Sequence, residues 1–295
     1  MRVSIIASIL FVCLAGTASA KISESYTDVK NVMSDLAQKY PSNVQKFELG
    51  ASDSGETILG LKIGSGPLKN LLVATHHGNE YGSTEVALGF AKSIAENPIK
   101  GQTLYVIPVL NIGGYNDHNR YEMGAGSSRD PNRDYPGPCG TEGPFKLKST
   151  HALANFVDKE GIVTSATLHT YYPAVAYPWG ISSQDLKTPY EEFFKTFTAL
   201  AAQESHYATG NSTELIYPAD GTYEDYTFWK HGMWSILFEL GYSHDPSQSD
   251  VDTLLAVNVP GLRRMFENSP QQRAENHAFT GKCDVRMKSR DRHDE

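Results

Sequence analysis

The chain reads as a single α/β domain: a twisted, mixed but mostly parallel β-sheet with helices on both faces. Three observations lead there. Strand-like and helix-like patterns alternate along most of the 295 residues, no linker or low-complexity run divides them, and three apolar strand runs lead into residues with chemistry at Glu80, His169 and Glu239. An open α/β sheet presents its chemistry at the carboxyl ends of its strands.

The elements follow in order. Residues 25–39 carry apolar positions at helical spacing, while VQKFEL (44–49) and TILGLKI (57–63) alternate as strands do. NLLVAT (70–75) is a buried-strand run, followed by the helix YGSTEVALGFAKSIAEN and the strand TLYVIPVL (103–110). From Asn111 to Lys148 the chain is rich in Gly, Pro, Asn and Asp, which predicts a loop, and loops of that length in compact domains usually serve function. A helix over 149–160, the strand IVTSATL, a helix over 189–207, a polar loop, a helix over 222–231, the strand WSILFEL and a helix over 250–267 complete the alternation. Residues 269–295 are polar and highly charged and read as a tail behind a catalytic unit spanning 21–268.

Composition narrows the function classes. The first 20 residues, MRVSIIASILFVCLAGTASA, combine a charged start, a short apolar run and Ala18-Ser19-Ala20, the pattern of a secretory leader cut after Ala20. The expected location is therefore outside the cell or in the periplasm. No later run reaches about 18 consecutive apolar residues, so no membrane span is expected. The catalytic fold begins soon after the leader, which predicts activity without zymogen processing. A net charge of −8 disfavours nucleic acid as a partner. Outside the leader stand two cysteines, Cys139 in the long loop and Cys283 in the tail. An oxidising compartment lets such a pair bridge, and a disulfide tying the tail across the loop is expected.

The chemistry begins at His77-Gly78-Asn79-Glu80. An imidazole and a carboxylate three residues apart, just past a strand end, can turn toward one zinc ion. His76 adjoins His77 but points elsewhere and reads as structural. His169, at the end of another apolar strand, adds a third ligand and leaves zinc a position for water. Its alternative is a core histidine. Glu239 follows a third apolar run and is flanked by Phe238 and Leu240. Such surroundings raise a carboxyl pKa and suit a general base, while the competing role is a buried acid paired with an arginine.

These residues carry a resemblance. From about Tyr26 to Phe266 the chain resembles the zinc metallocarboxypeptidases of the carboxypeptidase A/B superfamily. His77, Glu80 and His169 match that family's zinc ligands, and the segments Leu168-His169-Thr170-Tyr171 and Tyr177-Pro178-Trp179-Gly180 are typical of it. The resemblance implies a sheet of about eight strands and one zinc ion. Asp130-Pro131-Asn132-Arg133 matches a motif whose Asn and Arg hold the substrate's terminal carboxylate and whose Asp orients the first zinc histidine. A planar guanidinium suits that carboxylate on physical grounds as well. Without the zinc set the same Asn132-Arg133 would read as a loop turn with a solvated arginine. Arg120 falls where the family keeps the arginine that polarises the scissile carbonyl, with Arg129 as the competing candidate. Tyr217 matches the mobile tyrosine that closes over the substrate, and Glu239 the catalytic glutamate. The separation of 22 residues between Tyr217 and Glu239 matches the family and puts Glu224 at the base of the pocket for the departing side chain. An acid there implies preference for Lys, Arg or another amine-bearing residue such as diaminopimelate. Glu224 could instead serve the first turn of its helix, and Asp225 could take its place in the pocket. Two departures stand out: Phe145-Lys146-Leu147-Lys148-Ser149-Thr150 replaces an acidic helix start, and Asn79 stands where many members have arginine.

The expected activity is thus a zinc carboxypeptidase acting on the C-termini of peptides or proteins, as a monomer with no nucleic-acid or membrane partner. An amidase or deacylase of small or cell-wall peptides, and an inactive peptide-binding module, are the alternatives.

Overall fold

The computed structural model describes residues 25–124, 126–140, 144–184 and 186–285; the leader at 1–20 lies outside them. The strands are β1 (Val44–Ala51), β2 (Thr57–Gly64), β3 (Leu68–Ala74), β4 (Gln102–Ile107), β5 (Glu122–Gly124), β6 (Ser127–Arg129), β7 (Thr164–His169), β8 (Ala174–Tyr177), β9 (Ala208–Asn211) and β10 (Trp234–Glu239). The helices are α1 (Tyr26–Lys39), α2 (Tyr81–Ala95), α3 (Ile112–Asn116), α4 (Lys148–Glu160), α5 (Glu191–Ala201), α6 (Ser212–Leu215), α7 (Tyr223–His231) and α8 (Gln248–Glu267). Eight strands form one sheet in the order β1-β2-β4-β3-β7-β10-β8-β9, and β5 and β6 form a separate ribbon. The pairs β4/β3, β3/β7, β7/β10 and β8/β9 are parallel, and the remaining three are antiparallel. This is the mixed, mostly parallel sheet expected.

Strands covered on both faces are buried along their whole length, as β4 and β7 are, and the buried hydroxyls of Thr164, Ser165 and Thr167 in β7 each find a hydrogen-bond partner. Helices supply the cover: α2 packs against α8 and α8 against α5, while α4 packs on β1 and α7 on β10. Because β3, β7 and β10 are parallel neighbours, their carboxyl ends lie along one edge. Glu239 stands directly opposite His169 in the register, and Ala74 opposite Leu168.

Four sequence expectations need correction. The stretch 111–148 is not only loop: it contains α3, the β5/β6 ribbon and a 3₁₀ turn at Pro131–Arg133. α3 and the 3₁₀ turn rest on local side-chain capping that apolar periodicity does not reveal, since Asn111 accepts from Gly114 N–H and Asp130 from Asn132 N–H, while Glu122 of the ribbon accepts from Asp53 N–H and Ser149 Oγ. The polar loop after the predicted helix 189–207 likewise holds β9 and α6, and the helix itself ends at Ala201. Shortening of the strand at 103–110 has a plain cause: Pro108 has no N–H for the ladder, and β4 ends at Ile107.

The described part of the tail, 269–285, runs along the body. Ser269 and Ala274 are buried, Arg273 donates to the Ile162 carbonyl at 2.7 Å, and Cys139 and Cys283 form a disulfide with Cα atoms 5.4 Å apart.

Candidate active site

β3 delivers its chemistry through a tight turn. Thr75, just past the strand, has φ 60°, a left-handed conformation unusual for a β-branched residue. Its hydroxyl lies 3.0 Å from Ser83 Oγ, 2.7 Å from Thr84 Oγ1 and 3.1 Å from the Pro108 carbonyl, a network that holds the turn. Gly78 is required one step later. A Cβ there would lie 2.1 Å from the Gly114 carbonyl carbon, so only glycine lets the segment carrying Arg120 approach and accept Gly78 N–H at 3.2 Å. Glu80 then occupies the N-cap of α2 without capping it, because its carboxylate is turned toward two histidines.

His77 Nδ1 is 2.7 Å from Glu80 Oε1, His169 Nδ1 is 3.0 Å from Glu80 Oε2, and the two Nδ1 atoms are 3.2 Å apart. Among the described residues this is the one group of three or more His, Cys, Asp or Glu side chains with metal-ligand spacing. The donors fit zinc. His77 Nε2–H donates to Asp130 Oδ1 at 3.0 Å, which leaves its Nδ1 as a lone pair facing a carboxylate and a second imidazole nitrogen. Three convergent lone-pair donors call for a cation between them. His76 stays outside, with Nε2 3.0 Å from Tyr135 Oη, as the sequence suggested.

Electrostatics follow from this packing. Burial works against ionisation of Glu80 and Asp130, yet the neighbouring imidazoles, and Arg120 beside Asp130, hold both carboxyls well below the usual range. Burial and the nearby charge of Glu80 push Glu239 well above it. Glu239 Oε2 is buried and has no hydrogen-bond partner.

A cavity of about 540 Å³ opens beside the cluster, and its wall includes Arg120, Asn132, Arg133, Tyr217, Glu224 and Glu239. Arg120 donates to Asp130 Oδ2 through Nε at 3.1 Å and Nη2 at 2.8 Å, and its Nη1 lies 4.0 Å from Glu80. Arg129 sits on β6 and does not line the cavity. Arg133 donates to Tyr217 Oη at 3.0 Å. Glu224 is buried, accepts from Thr167 Oγ1, and has its other oxygen 3.5 Å from Asn132 Nδ2. Asp225 turns away, taking Gly180 N–H on both oxygens at 3.0 Å.

Sequence reasoning did not anticipate Thr167 or His244. Thr167 had a signal: two residues before His169 on one strand, it faces the same side. His244 also lines the cavity, with Nδ1 3.0 Å from Thr170 Oγ1 and its carbonyl accepting Gly82 N–H. It lies in an irregular loop where no spacing marks it.

The fold and the cluster define a class of protein: a mixed, mostly parallel α/β sheet with a two-histidine, one-carboxylate candidate metal centre at its strand ends. A family model described as zinc carboxypeptidase matches residues 29–254, and the chain belongs to that family. It is 25% identical to carboxypeptidase O of Bos taurus over 240 residues, covering 66% of this chain and 64% of that protein. With zinc carboxypeptidase A 1 of Drosophila melanogaster it shares 27% identity over 266 residues, covering 74% and 60%. The chain thus spans a little under two thirds of the length of these relatives. Among solved structures, bovine thrombin-activatable fibrinolysis inhibitor in complex with a tick carboxypeptidase inhibitor is similar with TM-score 0.75 and 20% identity, covering 82% of this chain and 95% of that one. A murein-tripeptide amidase from Escherichia coli O157 is similar with TM-score 0.54 and 14% identity, covering 74% and 91%. Both show the same fold. No helix among the described residues is long and apolar enough to cross a membrane.

Proposed function

We propose that this protein is a zinc-dependent carboxypeptidase that removes a single C-terminal residue and prefers one bearing an amine. The observation that carries the reading is one cavity wall presenting Arg133 with Asn132, the metal cluster with Glu239, and the buried Glu224. A free carboxylate is recognised by a guanidinium beside an amide, and a substrate lacking that carboxylate would leave Arg133 unmatched. When bound, zinc supplies a Lewis acid that polarises the scissile carbonyl and acidifies water. Arg133 and Asn132 hold the terminal carboxylate, with Tyr217 beside them over the entrance. Glu239 takes the proton of the attacking water and passes it to the departing amine, a role its raised pKa suits. Arg120, oriented by Asp130, stabilises the negative charge that develops on the carbonyl oxygen.

Glu224 sets the preference. Buried and already tied to Thr167, it offers a charge-assisted contact to an ammonium or guanidinium on the departing residue. The test compares peptides ending in Lys, Arg, Phe, Leu and Glu on wild type and Glu224→Ile. Wild type should release Lys or Arg fastest and the variant Phe or Leu. Faster release of Phe than of Lys by wild type, or an unchanged ranking in the variant, rejects the assignment. The leader-like N-terminus and the Cys139–Cys283 bridge support a secreted or periplasmic location.

A further inference from the structure

The described part of the tail is joined at two adjacent positions to two segments that each lead into the cavity wall. After Arg273 it follows the surface: Ala274 N–H donates to the Gly232 carbonyl at 2.7 Å, His277 Nδ1 to the Trp229 carbonyl at 2.7 Å, and the Phe279 ring meets Trp179 edge-on at 5.1 Å. Its last contacts come from consecutive residues. Cys283 is bonded to Cys139, six residues after Arg133. Asp284 accepts from Ser183 N–H at 2.9 Å, Ser183 Oγ at 2.5 Å and Ser182 Oγ at 3.2 Å. Ser182 and Ser183 continue the segment of Trp179 and Gly180; Gly180 lines the same cavity as Glu224 and donates its N–H to Asp225.

We propose that the tail is a positioning strap for the substrate pocket: Cys283 and Asp284 cross-link the segment behind the carboxylate anchor to the segment that walls the side-chain pocket. Neither segment is held by regular structure there. The anchor side runs from the 3₁₀ turn into irregular chain, and the wall side is joined to its surroundings by bonds outside any strand ladder, from Asp225, from the Ala219 N–H to the Gly180 carbonyl at 2.7 Å and from Thr213 Oγ1 to the Ser182 carbonyl at 2.8 Å. Two segments that must both contact one small residue need a fixed separation, and misplacement of about 1 Å can cost up to about 10²-fold in rate. The strap touches neither the metal ligands nor Glu239, so it acts on binding rather than on proton transfer.

The proposal rests on the anchoring role assigned above to Arg133. It is tested on the full chain with zinc bound, using a peptide ending in Lys as probe. Wild type is compared with wild type reduced by a phosphine under native conditions, with Cys139→Ser/Cys283→Ser, with Asp284→Ala, and with Asp284→Asn, which keeps an acceptor for Ser183. Reduction and Asp284→Ala should each raise KM roughly tenfold, the factor of a modest binding contact. kcat and zinc content should stay near wild type, Asp284→Asn should recover much of the affinity, and reoxidation should restore KM. If the double cysteine variant does not fold, reduction of the folded protein and the Asp284 variants decide. An unchanged KM in reduced protein and in Asp284→Ala, with only the thermal midpoint lowered, makes the strap purely structural and overturns the proposal. Arg133→Ala serves as the reference: if it raises KM while the strap variants do not, the strap fails alone, and if it too leaves KM unchanged, the anchor reading fails first.

Discussion

In the proposed mechanism Glu239 is the residue on which the chemistry turns. It ends β10 opposite His169, its Oε2 has no partner, and burial beside Glu80 raises its affinity for a proton. The competing role suggested by sequence, a buried acid paired with an arginine, has no such contact at that oxygen. Glu239→Gln keeps shape and removes proton transfer. Turnover should fall by at least about 10² to 10⁴-fold while elemental analysis still finds zinc. Near-normal turnover would remove Glu239 from the mechanism. The choice between Glu224 and Asp225 is also made at this scale. Adjacent helical positions point about 100° apart, and it is Asp225 that turns to the Gly180 N–H while Glu224 lines the cavity.

At the scale of elements, α4 shows how a missing local signal is replaced from a distance. Its first turn has no acid and Leu147 provides no side-chain cap. Instead Asp134 accepts from Lys146 N–H and Leu147 N–H, each at 2.9 Å, Asp53 accepts from Lys148 N–H at 2.6 Å, and Glu122 accepts from Ser149 Oγ. Three carboxylates from elsewhere thus meet the positive end of the helix dipole. Glu122 is fully buried, and burial pushes its pKa from 4.5 up to about 7 against the opposing bonds from Ser149 and Asp53. A raised folded pKa means that the folded state holds the proton more tightly than the unfolded chain. Its stabilising contribution is full below about pH 4.5 and is lost as pH rises through about 7. Glu122→Gln should flatten that part of the profile, a difference on the order of 3 kcal/mol between the two ends. Urea midpoints of both proteins at pH 4.5 and pH 7.5 check it; parallel profiles would show that Glu122 does not titrate in this range.

For the whole molecule, the metal cluster joins β3 to β7 at the centre of the sheet. A ligand that binds only the folded state stabilises it by mass action, about 2.7 kcal/mol at a free concentration near 100 times Kd. Chelation should therefore lower the thermal midpoint by roughly 5–10 °C, and added zinc should restore it. His77→Ala should melt at the same temperature with and without zinc. A midpoint indifferent to chelation in wild type would argue against a resident ion.

What local pattern governs was readable from the chain alone. The central strands are recorded in runs of mostly apolar or small residues because both sheet faces are covered, and His77, Glu80, His169 and Glu239 stand just past or at the ends of those runs. The short strands β8 and β9, the ribbon in 111–148 and the course of the tail carry no comparable signature, because hydrogen bonds and contacts with distant segments hold them. Arg120 and Arg129 are alike in sequence terms. Their difference arises where Gly78 admits the Arg120 backbone and Asp130 takes its guanidinium, while Arg129 is drawn into a strand paired with Glu122. Side-chain direction in irregular chain is set by long-range neighbours, and those exist only once the fold has brought them together.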